Sequence, residues 1–111
     1  MALFVGFGQA GDMRNSFSWL INNSLMVAGK RYRNELSPLT IYQLPSFVDQ
    51  RDQKIKTRIE MNIVFVLLEL YECPNEINPK ATNVDLKVLL PDGMIGWIWT
   101  NRKHAEFFVE I

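Results

Sequence analysis

A chain of 111 residues is long enough for one hydrophobic core and too short for two. Its apolar share of 48% is that of a globular domain, and 12 Lys+Arg against 12 Asp+Glu leave no formal net charge. That balance argues against a protein that coats nucleic acid, which needs a cationic surplus, and its weak colloidal repulsion suits a chain that works inside a larger complex.

The N-terminal stretch Met1 to Phe7 is apolar but carries no basic leader, so no signal peptide is expected. It runs into Gly6-Phe7-Gly8-Gln9-Ala10-Gly11, a literal G-x-G-x-x-G. In dinucleotide-binding folds those glycines let the backbone approach a pyrophosphate at a helix N-terminus, and Glu35 is spaced for a ribose contact. The rest of the chain lacks the alternating strands and crossover helices of such a fold, and Asp12 would set a negative charge beside the phosphate. A tightly turning glycine arm is the preferred reading, and no cofactor is expected. A nucleotide-binding protein using Gly6, Gly8 and Gly11 is kept as an alternative.

Residues 12–27 admit two structures. Asp12 can cap a helix in which Met13, Phe17, Leu20, Ile21 and Leu25 share a face, the reading slightly preferred. Equally, Phe17, Trp19 and Ile21 alternate, Asn22-Asn23 can turn the chain, and Leu25 and Val27 can return it as a hairpin. Next comes Lys30-Arg31-Tyr32-Arg33, a basic cluster with an interleaved aromatic; Arg102-Lys103-His104 is a second basic group. Such clusters can follow a nucleic-acid backbone while a ring stacks on a base. Balanced by Glu35 and Glu106, they read better as solvated surface or as contact with an acidic patch on a protein partner. A nucleic-acid-associated accessory factor is the further alternative.

Leu39-Thr40-Ile41-Tyr42 is a candidate strand opening just after Pro38, followed by Leu44-Pro45-Ser46-Phe47 and a charged, loop-like stretch from Asp49 to Lys56. Met61 to Leu70 is β-branched and aromatic, as in a strand buried on both faces. Cys73 to Lys80, with its prolines and asparagines, predicts a surface loop. Val84–Leu90 and Met94–Trp99 flank Pro91-Asp92-Gly93, which predicts a β-hairpin, since Asp-Gly supplies the positive-φ positions of a tight turn. Thr100 to Glu106 fits one helical turn, and Phe107 to Ile111 a closing strand. The longest apolar run, Ile63 to Leu68, is too short to span a bilayer.

No catalytic constellation is visible. Cys73 is the one cysteine, which excludes an intrachain disulfide and favours a reducing, cytoplasmic setting. His104 is the one histidine, so no metal cluster of usual His/Cys spacing can form. Glu69 and Glu72 flank Tyr71 and read as a solvated strand edge rather than an acid–base pair.

The order of strand, long loop, buried strand, hairpin, helical turn and short strand resembles a bacterial Src-homology-3-like (SH3b-like) barrel. The residues that carry the likeness are Asp92-Gly93-Met94-Ile95-Gly96-Trp97-Ile98 at the distal hairpin, Thr100-Asn101 opening the turn, and Phe108-Val109-Glu110-Ile111 closing the chain. The resemblance implies a mainly β fold, with an N-terminal extension over 1–37 and a small barrel over 38–111. Peptide-binding members carry tryptophan where this chain reads Asn83-Val84-Asp85-Leu86, proline at Trp99 and tyrosine at Arg102, so it does not imply proline-rich ligands. It directs Ile98 into the barrel and leaves Tyr42, Trp97 and Trp99, with Arg102, for a protein partner. The functional expectation is a non-enzymatic interaction or assembly module. It would belong to a multisubunit complex such as a bacteriophage virion, in the cytoplasm or in a particle assembled there.

Overall fold

The β-branched and aromatic run around Phe65 forms the strand on which the others are arranged. A computed structural model describes residues 2–4, 20–22, 25–48, 55–75 and 77–111. The described strands are β1 (Ala2–Phe4), β2 (Leu20–Asn22), β3 (Arg31–Asn34), β4 (Leu39–Tyr42), β5 (Ile55–Ile59), β6 (Val64–Cys73), β7 (Asn83–Leu89), β8 (Ile95–Asn101) and β9 (Phe108–Glu110). A 3₁₀ turn (Pro79–Ala81) and one helical turn, α1 (Arg102–Ala105), complete the elements. The fold is mainly β, as the sequence predicts.

Every pairing is antiparallel, in the order β1-β2-β6-β7-β8-β4-β5, with β3 between β6 and β9. One edge of β6 carries β7; the other is shared by β3, against Val64–Val66, and β2, against Tyr71 and Glu72. The register slips between Leu67 and Glu69, and such a bulge bends and twists a strand. The sheet curls into a half-barrel compatible with an SH3-like barrel. Its concave side holds the core: Phe65, Leu67 and Leu70 of β6, Leu86 and Val88 of β7, Ile98 of β8 and Ile41 of β4 are all essentially buried. Phe65 sits between Tyr32 of β3 and the edge of Phe108 of β9, with ring centroids at 6.2 and 5.5 Å. Buried Asn34 links turns: its Nδ2 donates to Glu60 O at 3.2 Å and its Oδ1 accepts from Leu36 N at 2.9 Å.

β4 matches its predicted bounds, and the β7–β8 hairpin forms around Pro91-Asp92-Gly93. Only Gly93 takes positive φ there, at 89°; Asp92 instead accepts from Met94 N through Oδ1 at 2.9 Å. Other expectations need correction. The Lys30–Arg33 cluster belongs largely to β3, so barrel strands begin ahead of Pro38 and the expected 1–37 extension contributes Met26 and Tyr32 to the core. Ile55 and Lys56, read as the end of a charged loop, open β5. The strand expected over 61–70 runs from 64 to 73, because Met61 and Asn62 form a turn in which Asn62 has φ 73°. Leu20 and Ile21 lie in β2, paired with β1 and β6, and so not in the helix preferred for this segment. Leu25 and Val27 lie in no strand, while Met13, Phe17, Trp19, Asn23 and the glycine motif lie outside the described residues.

Candidate functional site: an aromatic face on the outer side of the sheet

Alternation along β8 settles the faces. Gly96 and Ile98 point into the barrel and Trp97 and Trp99 point outward, half-buried, as predicted. Glycine is required at position 96 because β4 crosses β8 there. A Cβ on Gly96 would overlap the Ile41 Cγ2 methyl and come within 3.2 Å of Tyr42 O. That close approach brings Tyr42 opposite Trp97 and stacks its ring on Trp99, with centroids 3.7 Å apart and an interplanar angle of 11°.

Tyr71 of β6 joins the same outer face, opposite Asp85 of β7, which in turn lies opposite Trp99. The loop after β4 then folds back over these rings. Trp99 Nε1 donates to Leu44 O at 3.0 Å, and Ser46 donates to Asp85 Oδ2 from both N and Oγ, at 2.7 and 2.5 Å. Phe47 is buried between Tyr71 and Trp97, edge-on to both, at 5.3 and 6.1 Å. The cover over the aromatic patch among the described residues is therefore the chain's own segment 44–47.

Beside it, Tyr71 donates its hydroxyl to Glu69, which also pairs with Lys87 at 3.1 Å. Partial burial pushes the Tyr71 hydroxyl above its ordinary value of 10.0, and the Glu69 carboxylate reinforces the shift. For Glu69, burial pulls upward, but the hydrogen bonds from Tyr71 and Lys87 outweigh it and hold the carboxyl below 4.5.

Of the four residues predicted to meet a partner, Tyr42, Trp97 and Trp99 come together, whereas Arg102 is engaged elsewhere. Its Nη2 donates to Glu72 Oε1 and Oε2, both at 2.9 Å, and Glu72 is 2% exposed. Glu72 is therefore no solvated edge residue. The bulge in β6 turns it inward, where a carboxylate needs a cation. The nucleic-acid alternative loses its stacking ring, because Tyr32 is buried with its hydroxyl bonded to Val27 N at 2.8 Å. Glu35, offered for a ribose, is held by Arg33 at 2.5 Å. His104 stands exposed on α1, its backbone N bonded to the capping Asn101 Oδ1 at 2.8 Å. Phe47, Ser46, Asp85 and Tyr71 were not singled out as parts of this site by sequence reasoning. The one available signal was Asp85, a lone acid inside the otherwise apolar alternation of β7.

Among the described residues no helix is long and apolar enough to cross a membrane. The chain matches no protein-family model, no curated protein and no solved structure.

Proposed function

We propose that this chain is a non-catalytic interaction or assembly module, an SH3b-like barrel that serves as a small component of a larger complex such as a virion. Its partner, a protein, rests on the outer aromatic face, with the Tyr42–Trp99 stack as the anchor and Trp97 beside it. The observation that carries this reading is the stack itself: two rings held parallel at 3.7 Å and half-exposed on the outside of the sheet. Rings fixed in advance lose little freedom on binding, and tryptophan and tyrosine dominate binding hot spots. Arg102 lies outside the stack and adds, in this reading, a charged contact through its partly exposed side chain.

The test is to express the tagged chain in its native cells and measure the mass of what it elutes with, by size exclusion with light scattering. The wild-type chain is expected in an assembly larger than itself, and Tyr42→Ala, which leaves the core intact, to leave that assembly. Elution of the wild-type chain alone, or an unchanged assembly with Tyr42→Ala, overturns the proposal.

A further inference from the structure

Two of the sheet's edge strands, β5 and β9, differ in a way that bears on self-association. β5 ends the sheet with Lys56 and Arg58 exposed, the charged blunting that keeps strand edges from pairing. Among the described residues β9 pairs with β3 alone, and its one charged side chain is Glu110. Backbone bonds from Glu35 N to Phe107 O and from Ile111 N to Arg31 O fix the odd-numbered residues of β9 as those that face β3. The N–H and C=O groups of Phe108 and Glu110 therefore point to the open edge. On the outer face of the same strand stand Phe107, Val109 and Ile111, exposed by 47%, 38% and 55%. An exposed apolar row beside unpaired backbone groups is a template for another strand.

From this geometry we infer that β9 pairs antiparallel with β9 of a second copy of this chain, about a two-fold axis through Val109. The register follows from the bonding pattern. Phe108 and Glu110 of one copy exchange backbone hydrogen bonds with Glu110 and Phe108 of the other, a closed, self-complementary arrangement. On the outer face Val109 meets its own symmetry mate, and Phe107 meets Ile111. Charge selects the same solution. Within 107–111 the only ionisable side chain is Glu110, which this register places beside Phe108, whereas centring on residue 110 would oppose two carboxylates. The zero net charge of the chain adds no long-range repulsion. The occupant is a second copy because this edge matches itself in both bonding and shape. The inference stands apart from the aromatic face, so either can fail alone.

Sedimentation equilibrium over a range of concentrations tests it on the full chain. The wild-type mass is expected to rise from monomer to dimer, and Val109→Lys, which opposes two cations at the axis, to stay monomeric with a thermal melt equal to that of the wild type at low, monomeric concentration. Thr57→Lys on β5 should dimerise like wild type. In a Cys73→Ser background, Val109→Cys should form a disulfide-linked dimer on mild oxidation, since a non-hydrogen-bonded pair sets Cα atoms about 4.5 Å apart, within disulfide reach. Glu110→Cys should cross-link far less. A wild-type chain that stays monomeric throughout, dimerisation of Val109→Lys at wild-type strength, or equal cross-linking at 109 and 110 overturns the inference.

Discussion

Arg102 reaches back from α1 to grip Glu72 with one nitrogen on both carboxylate oxygens, at 2.9 Å each. Removing a partner from a buried ion pair costs roughly 3–5 kcal/mol. The Arg102 side chain is 36% exposed, so Arg102→Ala is expected to fall below that range, at about 2–3 kcal/mol, by urea denaturation. Glu72→Gln, which keeps a hydrogen-bonding group, should cost less. A loss of partner binding by Arg102→Ala larger than its loss of folded protein would mark the guanidinium as a contact as well.

Gly96 has no room for a methyl group. Gly96→Ala must push β4 away from β8 against Ile41 and Tyr42 O, an overpacking expected to cost about 1–3 kcal/mol. Near-UV circular dichroism should report the disturbed Tyr42–Trp99 stack. Wild-type stability with an unchanged aromatic spectrum would contradict the crossing geometry.

The domain boundary can be tested directly. A fragment over 36–111 loses β3, and with it Tyr32 from the core and the pairing of β9. It is expected to unfold without cooperativity, whereas 25–111, which retains both, should melt in one transition. A cooperative 36–111 fragment would return the boundary to Pro38.

Much of this was legible in the residues, and the exceptions have physical reasons. β4, β7 and β8 consist largely of apolar and β-branched residues, so they and the Asp-Gly turn between the last two stand out in the sequence. β3 and β5 carry charge outward, Arg31 and Arg33 on one and Lys56 and Arg58 on the other, so the first reads as a basic surface cluster and the start of the second as the end of a charged loop. The inward Tyr32 and Ile59 are each too few to outvote their neighbours. The aromatic face was half legible. Alternation gave Trp97 and Trp99 their side, but the 44–47 cover depends on Ser46 meeting Asp85, 39 residues away. Local pattern holds no information about such a contact. Glu72 was misread because β6 runs on to Cys73, past the expected end at Leu70, and its bulge turns the Glu72 carboxylate inward to a partner thirty residues away.

Trp99 holds the cover by a ring stack and an indole hydrogen bond, and the two can be separated. Trp99→Phe keeps a ring against Tyr42 and loses the bond to Leu44 O, for about 1 kcal/mol. Trp99→Ala loses the stack as well, adding about 0.5–1.5 kcal/mol, without unfolding the barrel. Both should raise hydrogen exchange of residues 44–47 above that of β6. Equal protection in wild type and variants would mean the loop is held without Trp99.

The Tyr71–Glu69 pair predicts opposite limits of pH. Glu69 has its folded value depressed, so its contribution is complete above 4.5 and is lost as pH falls through the lower folded value. Tyr71 is raised, so its contribution is complete below 10.0 and is lost as alkali ionises the unfolded phenol first. Ultraviolet titration should show Tyr71 ionising above the ordinary range, and Glu69→Gln should lower it. A Tyr71 titration near 10.0, unchanged by Glu69→Gln, would refute the assignment.

The pairing of β3 with β9 also sets a timetable for synthesis. Tyr32 leaves the ribosome with its neighbours on β3, yet the strand that lies beside it ends at Glu110. At about 5–20 residues per second, the intervening seventy or so residues take roughly 4–15 s. Once β6 has been made, β3 still has one flank open and Phe65 lacks the ring of Phe108 until β9 follows. The apolar surface beside β3 is therefore covered only after β9 has been made.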